Sequence, residues 1–134
     1  MSVPLIVVVD DEIPALRLIR LTLQRAGYEI VTATDGQEAL NLIQQRPPDL
    51  ILADVLMPRL GGFDLVRIVK RDPKLRNIPC ILVTSLNRYE DQKMGYQFGA
   101  DFYITKPFTP EGLLQSVNRA LGRGEEQESK PQGK

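Results

Sequence analysis

Five short apolar runs, each too short to be a helix, alternate with longer stretches of helical periodicity, and this alternation limits the fold more than any other feature of the sequence. The runs Leu5–Val9, Glu29–Ala33, Leu50–Ala53, Ile81–Val83 and Phe102–Thr105 read as strands. Between the first two, Ala15, Leu18, Ile19, Thr22, Leu23 and Ala26 recur at the spacing of one helical face. Pro14 suits the first turn of that helix and Gly27 its end. A second helix is predicted over Gln37–Gln45, with Ala39, Leu40 and Ile43 inward and Pro47–Pro48 as its stop. A third runs over Phe63–Lys70, with Leu65, Val66 and Val69 on one side. A fourth, Tyr89–Phe98, is more polar and contains Gly95. Thr109 caps the last, with Pro110 at its first position and Leu113, Val117 and Leu121 inward.

Five strand–helix units imply an α/β fold, a parallel sheet with helices on both faces. They are too few for an eight-fold barrel. The expectation is a doubly wound, flavodoxin-like, five-stranded sheet with five helices; its order, 2-1-3-4-5, is taken from that fold class. The globular domain is expected over 1–122. Residues 123–134 lack any large apolar side chain and read as a disordered tail or the start of a linker.

Composition excludes several functions. There is no histidine, which removes the usual general base and the commonest zinc ligand. The single cysteine, Cys80, allows no internal disulfide and reads as a small buried apolar residue. A net charge of +0 gives no reason to expect a nucleic acid or an anionic membrane as partner. No apolar run approaches the ~20 residues of a membrane span. The N-terminus lacks a basic segment followed by an apolar one, so no signal peptide is expected and a cytoplasmic location follows as the default.

The polar residues fall at one edge. Asp10 and Asp11 follow the first strand, Asp54 the third; Thr84 ends the fourth strand and Lys106 follows the fifth. Ligand sites in such sheets lie at the carboxyl ends of the strands, near the reversal of strand order. Here the three aspartates meet. At about 4 Å each pair of carboxylates repels by about 4 kcal/mol at an effective dielectric of 20, so the arrangement requires a compensating cation. Oxygen-only donors favour a hard ion, Mg²⁺, with Mn²⁺ an alternative. Lys106 adds a mobile positive charge and Thr84 a hydroxyl donor. Together they suit a transferred phosphoryl group, with Asp54 as nucleophile.

The stretches Val7-Val8-Val9-Asp10-Asp11-Glu12, Asp54-Val55-Leu56-Met57-Pro58, Val83-Thr84-Ser85 and Gly99-Ala100-Asp101-Phe102-Tyr103-Ile104-Thr105-Lys106-Pro107-Phe108 resemble the receiver domain of two-component response regulators. The resemblance runs from about Leu5 to Leu121. It implies Asp54 as the phosphorylated residue, Asp11 as a direct Mg²⁺ ligand, Asp10 as a ligand through water, and the Leu56 backbone carbonyl as a further ligand. It implies Thr84 as switch hydroxyl, Lys106 as phosphate partner, Tyr103 as the aromatic that turns inward on activation, and a cis Lys106–Pro107 bond. The donor is then a phosphohistidine on a histidine kinase or phosphotransfer protein. A downstream protein or a second copy is expected to dock on the surface of the fourth helix, fifth strand and fifth helix. Such a chain is a signalling phosphoacceptor and not an enzyme, although it promotes its own phosphorylation and slow dephosphorylation.

Three departures carry expectations of their own. Gly61, where many relatives are acidic, is expected to loosen the loop before the third helix. The hydroxyl of Ser85 competes with that of Thr84 for the phosphate. Leu56 and Leu86, two residues past Asp54 and Thr84, are expected to lengthen the life of the phosphorylated state. Two other readings share the fold. A binding module without the chemistry would lack the acidic pair, Asp54 or Lys106. A flavodoxin needs a hydroxyl- and glycine-rich phosphate loop where this chain has Asp10-Asp11-Glu12-Ile13-Pro14, and no G-x-x-x-x-G-K-[ST] motif occurs.

Overall fold

The computed structural model describes residues 2–123. Its elements run β1 (Leu5–Val9), α1 (Ile13–Arg25), β2 (Glu29–Ala33), α2 (Gly36–Gln45), β3 (Leu50–Ala53), α3 (Gly62–Arg71), β4 (Cys80–Thr84), α4 (Tyr89–Phe98), β5 (Phe102–Thr105) and α5 (Pro110–Ala120). The five strands are parallel in the order β2-β1-β3-β4-β5. This is the expected doubly wound sheet. Of the expected tail, Arg123 is described: its amide donates to the Asn118 carbonyl and its guanidinium lies over the Tyr28 ring. The remainder lies outside the described residues.

Strand side chains alternate faces, so a sheet covered on both sides needs apolar residues at every position of its central strands. β1, β3 and β4 are buried throughout. Val7, Val9, Ile51, Ala53, Cys80 and Leu82 join one core with Ile43 of α2 and Leu65, Val66 and Val69 of α3. Ile6, Val8, Leu50, Leu52, Ile81 and Val83 join the other with Leu16, Ile19 and Leu23 of α1 and Leu113 and Val117 of α5. Burial pushes the Cys80 thiol up to about 12, so it packs as a neutral group.

One helical face differs from expectation. α1 buries Leu16, Ile19 and Leu23, while Leu18 is 44% exposed and Ala26 is exposed. Two apolar stripes overlap in this sequence. The one with three large aliphatic side chains at i, i+3 and i+7 takes the core because it removes more apolar area from water.

α4 is held differently at its two ends. Its C-terminal end closes on Gly99, whose φ of 114° suits glycine. There the Lys70 stem lies under Gly99. Lys70 Nζ donates to the carbonyls of Arg76 and Ile78 and to Asp101 Oδ2, which also accepts the Cys80 amide. At the N-terminal end the amide and guanidinium Nε of Arg88 both donate to Asp91 Oδ2.

Candidate functional site

The strand ladders carry the acidic residues to one place. The Asp10 amide continues the β1–β2 ladder by donating to the Ala33 carbonyl, and the Asp54 amide donates to the Val9 carbonyl. Both side chains are buried. Lys106 follows β5, and its amide donates to the Thr84 carbonyl at 2.8 Å, which sets it beside the end of β4. The Lys106–Pro107 peptide is cis, as the resemblance implied.

The Lys106 ammonium is the centre of the group. Its Nζ lies 2.8 Å from Asp10 Oδ2, 2.8 Å from Glu12 Oε1 and 3.0 Å from Asp54 Oδ2. Burial opposes the charge on Lys106, but the three carboxylate bonds outweigh it and hold its pKa above the usual lysine range. Burial raises the Asp10 pKa, against the opposing pull of Lys106 and of the Glu12 amide, which donates to Asp10 Oδ1. One carboxylate oxygen from each of Asp10, Glu12 and Asp54 lies within 4.8 Å of the others. These donors are all hard oxygens, with no thiolate or imidazole, and their excess negative charge fits a divalent ion such as Mg²⁺.

Asp10, Asp54 and Lys106 therefore meet as expected. Asp11 is exposed and outside this oxygen cluster, and Glu12 supplies its third carboxylate. Glu12 was not singled out by the sequence reading. The available signal was its place two residues past Asp10, directly before α1. Leu56 donates its amide to Asp54 Oδ1, and its side chain is exposed. Thr84 is fully buried, and its Oγ1 accepts from the Leu86 amide at 3.4 Å; Ser85 is exposed. The Tyr103 hydroxyl donates to the Leu86 carbonyl at 2.8 Å, and its ring packs near Tyr96.

The loop after Asp54 is tightly held. A Cβ on Gly61 would lie 2.7 Å from the Val55 carbonyl oxygen, and one on Gly62 2.3 Å from that of Asp54. On Gly36 it would lie 1.9 Å from the Leu60 carbonyl oxygen. Gly61 thus lets backbone pack on backbone, and the expected loosening is not seen. Arg59 adopts a left-handed φ of 68°, and its guanidinium donates to Asp35 Oδ2 at 2.6 Å. Asp35 also caps α2 by accepting the Glu38 amide. The loop is therefore tied to the start of α2.

On α4, Tyr89 is 75% exposed and Tyr96 about half exposed. Together with Gln92, Lys93 and Gln97 they line a surface groove of about 400 Å³.

A buried acidic pair under a strand-end lysine, on a 2-1-3-4-5 sheet, defines a class, and the comparisons with known proteins specify it. Residues 6–118 match the family model of the response regulator receiver domain. The chain belongs to that family. It is 42% identical over 123 residues to the phosphate regulon transcriptional regulatory protein PhoB of Pseudomonas aeruginosa, covering 90% of this chain and 54% of that one. It is 40% identical to the probable transcriptional regulator ycf27 of Cyanophora paradoxa, covering 90% of this chain and 49% of that one. The chain spans about half the length of these relatives. Among solved structures, the chemotaxis response regulator CheY4 of Vibrio cholerae superposes with a TM-score of 0.85 at 37% identity, covering 90% of this chain and all of that one. A putative response regulator from Chloroflexus aurantiacus does so with a TM-score of 0.87 at 32% identity, covering 91% and 100%. No helix among the described residues is long and apolar enough to cross a membrane.

Proposed function

We propose that this chain is a phosphorylation switch. Asp54 accepts a phosphoryl group from the phosphohistidine of a cytoplasmic kinase or phosphotransfer protein, in a reaction that depends on Mg²⁺. The supporting observation is the Lys106 ammonium 3.0 Å from Asp54 Oδ2 in a largely buried acidic site. One Asp54 oxygen attacks phosphorus. The P–N bond breaks, its electron pair returns to the donor imidazole, and an acyl phosphate forms on Asp54.

Asp10, Asp11, Asp54 and the Leu56 carbonyl are the proposed metal-holding groups. Mg²⁺, when bound, neutralises charge on the phosphoryl oxygens. Lys106 turns from Asp54 to a phosphoryl oxygen, and Thr84 donates its hydroxyl to another. Of the two neighbouring hydroxyls, the buried Thr84 suits this role better than the exposed Ser85. Water then attacks phosphorus, and release of inorganic phosphate restores the carboxylate.

The switch itself is a population shift. Thr84, drawn to the phosphoryl group, gives up the Leu86 amide, and Tyr103 turns inward. The surface of α4, β5 and α5 changes with it, and a downstream protein or a second copy reads the change. The test is intact mass after incubation with a small acyl phosphate and Mg²⁺. Wild type gains one phosphoryl group, whereas Asp54→Ala and chelator-treated wild type gain none. Equal labelling of wild type and Asp54→Ala would overturn the assignment.

A further inference from the structure

An ammonium group has three N–H donors. In Lys106 all three are spent, on Asp10, Glu12 and Asp54. The acceptors are not equivalent. The Asp10 and Asp54 side chains are buried, whereas that of Glu12 is 63% exposed at the mouth of the site. Glu12 occupies the N-cap of α1 but makes no side-chain cap there. Among the described residues, its carboxylate has Lys106 as its hydrogen-bond partner and no other.

A divalent ion drawing on Asp10 and Asp54 takes two of the three acceptors from the lysine. Repulsion between the ion and the ammonium then drives Lys106 outward. Glu12 is the one acceptor that stays available, and it lies in that direction.

We propose that Glu12 is a positioning residue that retains the Lys106 ammonium at the mouth of the site when a divalent cation takes Asp10 and Asp54. This rests on the metal reading above. Glu12 keeps the lysine within reach of an incoming phosphoryl group and lowers the cost of parting it from the aspartates. Because the bond to Glu12 strengthens once Asp10 and Asp54 no longer share the ammonium, Glu12 favours the metal-bound state through Lys106 and without contact with the metal.

The test is calorimetric titration of the full chain with Mg²⁺ in a double-mutant cycle. Glu12→Gln is expected to weaken Mg²⁺ binding about five-fold, the worth of a well-placed, partly exposed ion pair. Lys106→Ala alone is expected to tighten it, because no cation has to be displaced. In the Lys106→Ala background, Glu12→Gln is expected to have a clearly smaller effect, left by the through-space attraction of its charge alone. If Lys106→Ala does not fold, Lys106→Gln completes the same cycle. An equal loss on Glu12→Gln in both backgrounds would make Glu12 a metal ligand and overturn the proposal. No change in either background would overturn it as well. Absence of Mg²⁺ binding by the unsubstituted chain would remove the metal reading and this inference with it, which separates the two failures.

Discussion

α3 and α4 are equal in length and adjacent, yet they are held in opposite ways. α3 buries Gly62, Leu65, Val66 and Val69, and its start is backbone packed on backbone beneath Asp54. α4 buries Gly95 alone and leaves Tyr89, Met94 and Tyr96 exposed. The difference separates a densely buried element next to the carboxylates from a sparsely buried one, the element that the proposed switch would move. Low local stability is a requirement for an element that moves.

Substituting the glycines tests this contrast most directly. Gly62→Ala places a Cβ 2.3 Å from the Asp54 carbonyl oxygen, where neither backbone can yield. We expect a loss of about 3 kcal/mol or more in urea unfolding. A loss under about 1 kcal/mol would mean that the β3–α3 loop is not rigid. In α4, Gly95→Ala meets the side chains of Leu82 and Tyr103 at 3.0–3.2 Å. The gain in helix propensity, about 1 kcal/mol, offsets that crowding, so the net change should stay within about 1 kcal/mol. The Tyr103 ring should move instead, visible as altered ring chemical shifts.

A pH titration sharpens the same boundary by a smaller amount. Burial, with Asp91 and Asp54 nearby, pushes the Tyr103 phenol up to about 12. The unfolded chain ionises this group near 10, so stability should fall between pH 10 and 12 as the unfolded state loses the proton first. The raised Lys106 pKa acts in the same direction: its contribution is complete below about 10.4 and is lost above that. Tyr103→Phe should flatten the alkaline decline measured by thermal unfolding. An unchanged slope would assign the effect to Lys106 and to the buried Cys80 thiol, whose raised pKa acts in the same direction.

The smallest stability effect is expected at Leu56, whose side chain is exposed beside Asp54. Leu56→Asn should leave unfolding unchanged within about 0.5 kcal/mol. It should shorten the half-life of the phosphorylated form by giving the attacking water a polar partner. A half-life that stays the same or lengthens would refute the idea that the leucine protects the phosphate.

The sheet was legible in the sequence because apolar runs and helical periods are local signals. Asp10, Asp54 and Lys106 could be placed together because each adjoins a strand end and the parallel sheet aligns those ends. What remained hidden depends on contacts distant in sequence. Arg59 reaches Asp35 24 residues away, and Gly36 meets Leu60 through bare backbone. No periodicity records such approaches. Leu16 and Leu18 both fit a helical stripe, and only the packed sheet selects between them. Nothing local in the sequence links Glu12 to Lys106, its partner 94 residues on.

The anchoring of α4 at Gly99 has a mechanical consequence. With Lys70 clamping that end to the starts of β4 and β5, the proposed switch would move the helix as a lever pivoted at its C-terminus. Its arm is roughly 15 Å for ten residues, so a tilt of about 10° would carry Tyr89 some ~2.5 Å while leaving the pivot in place. The groove between Tyr89 and Tyr96 lies along that arm. In the proposed switch, a rearrangement too small to disturb the sheet would thereby be magnified at that groove.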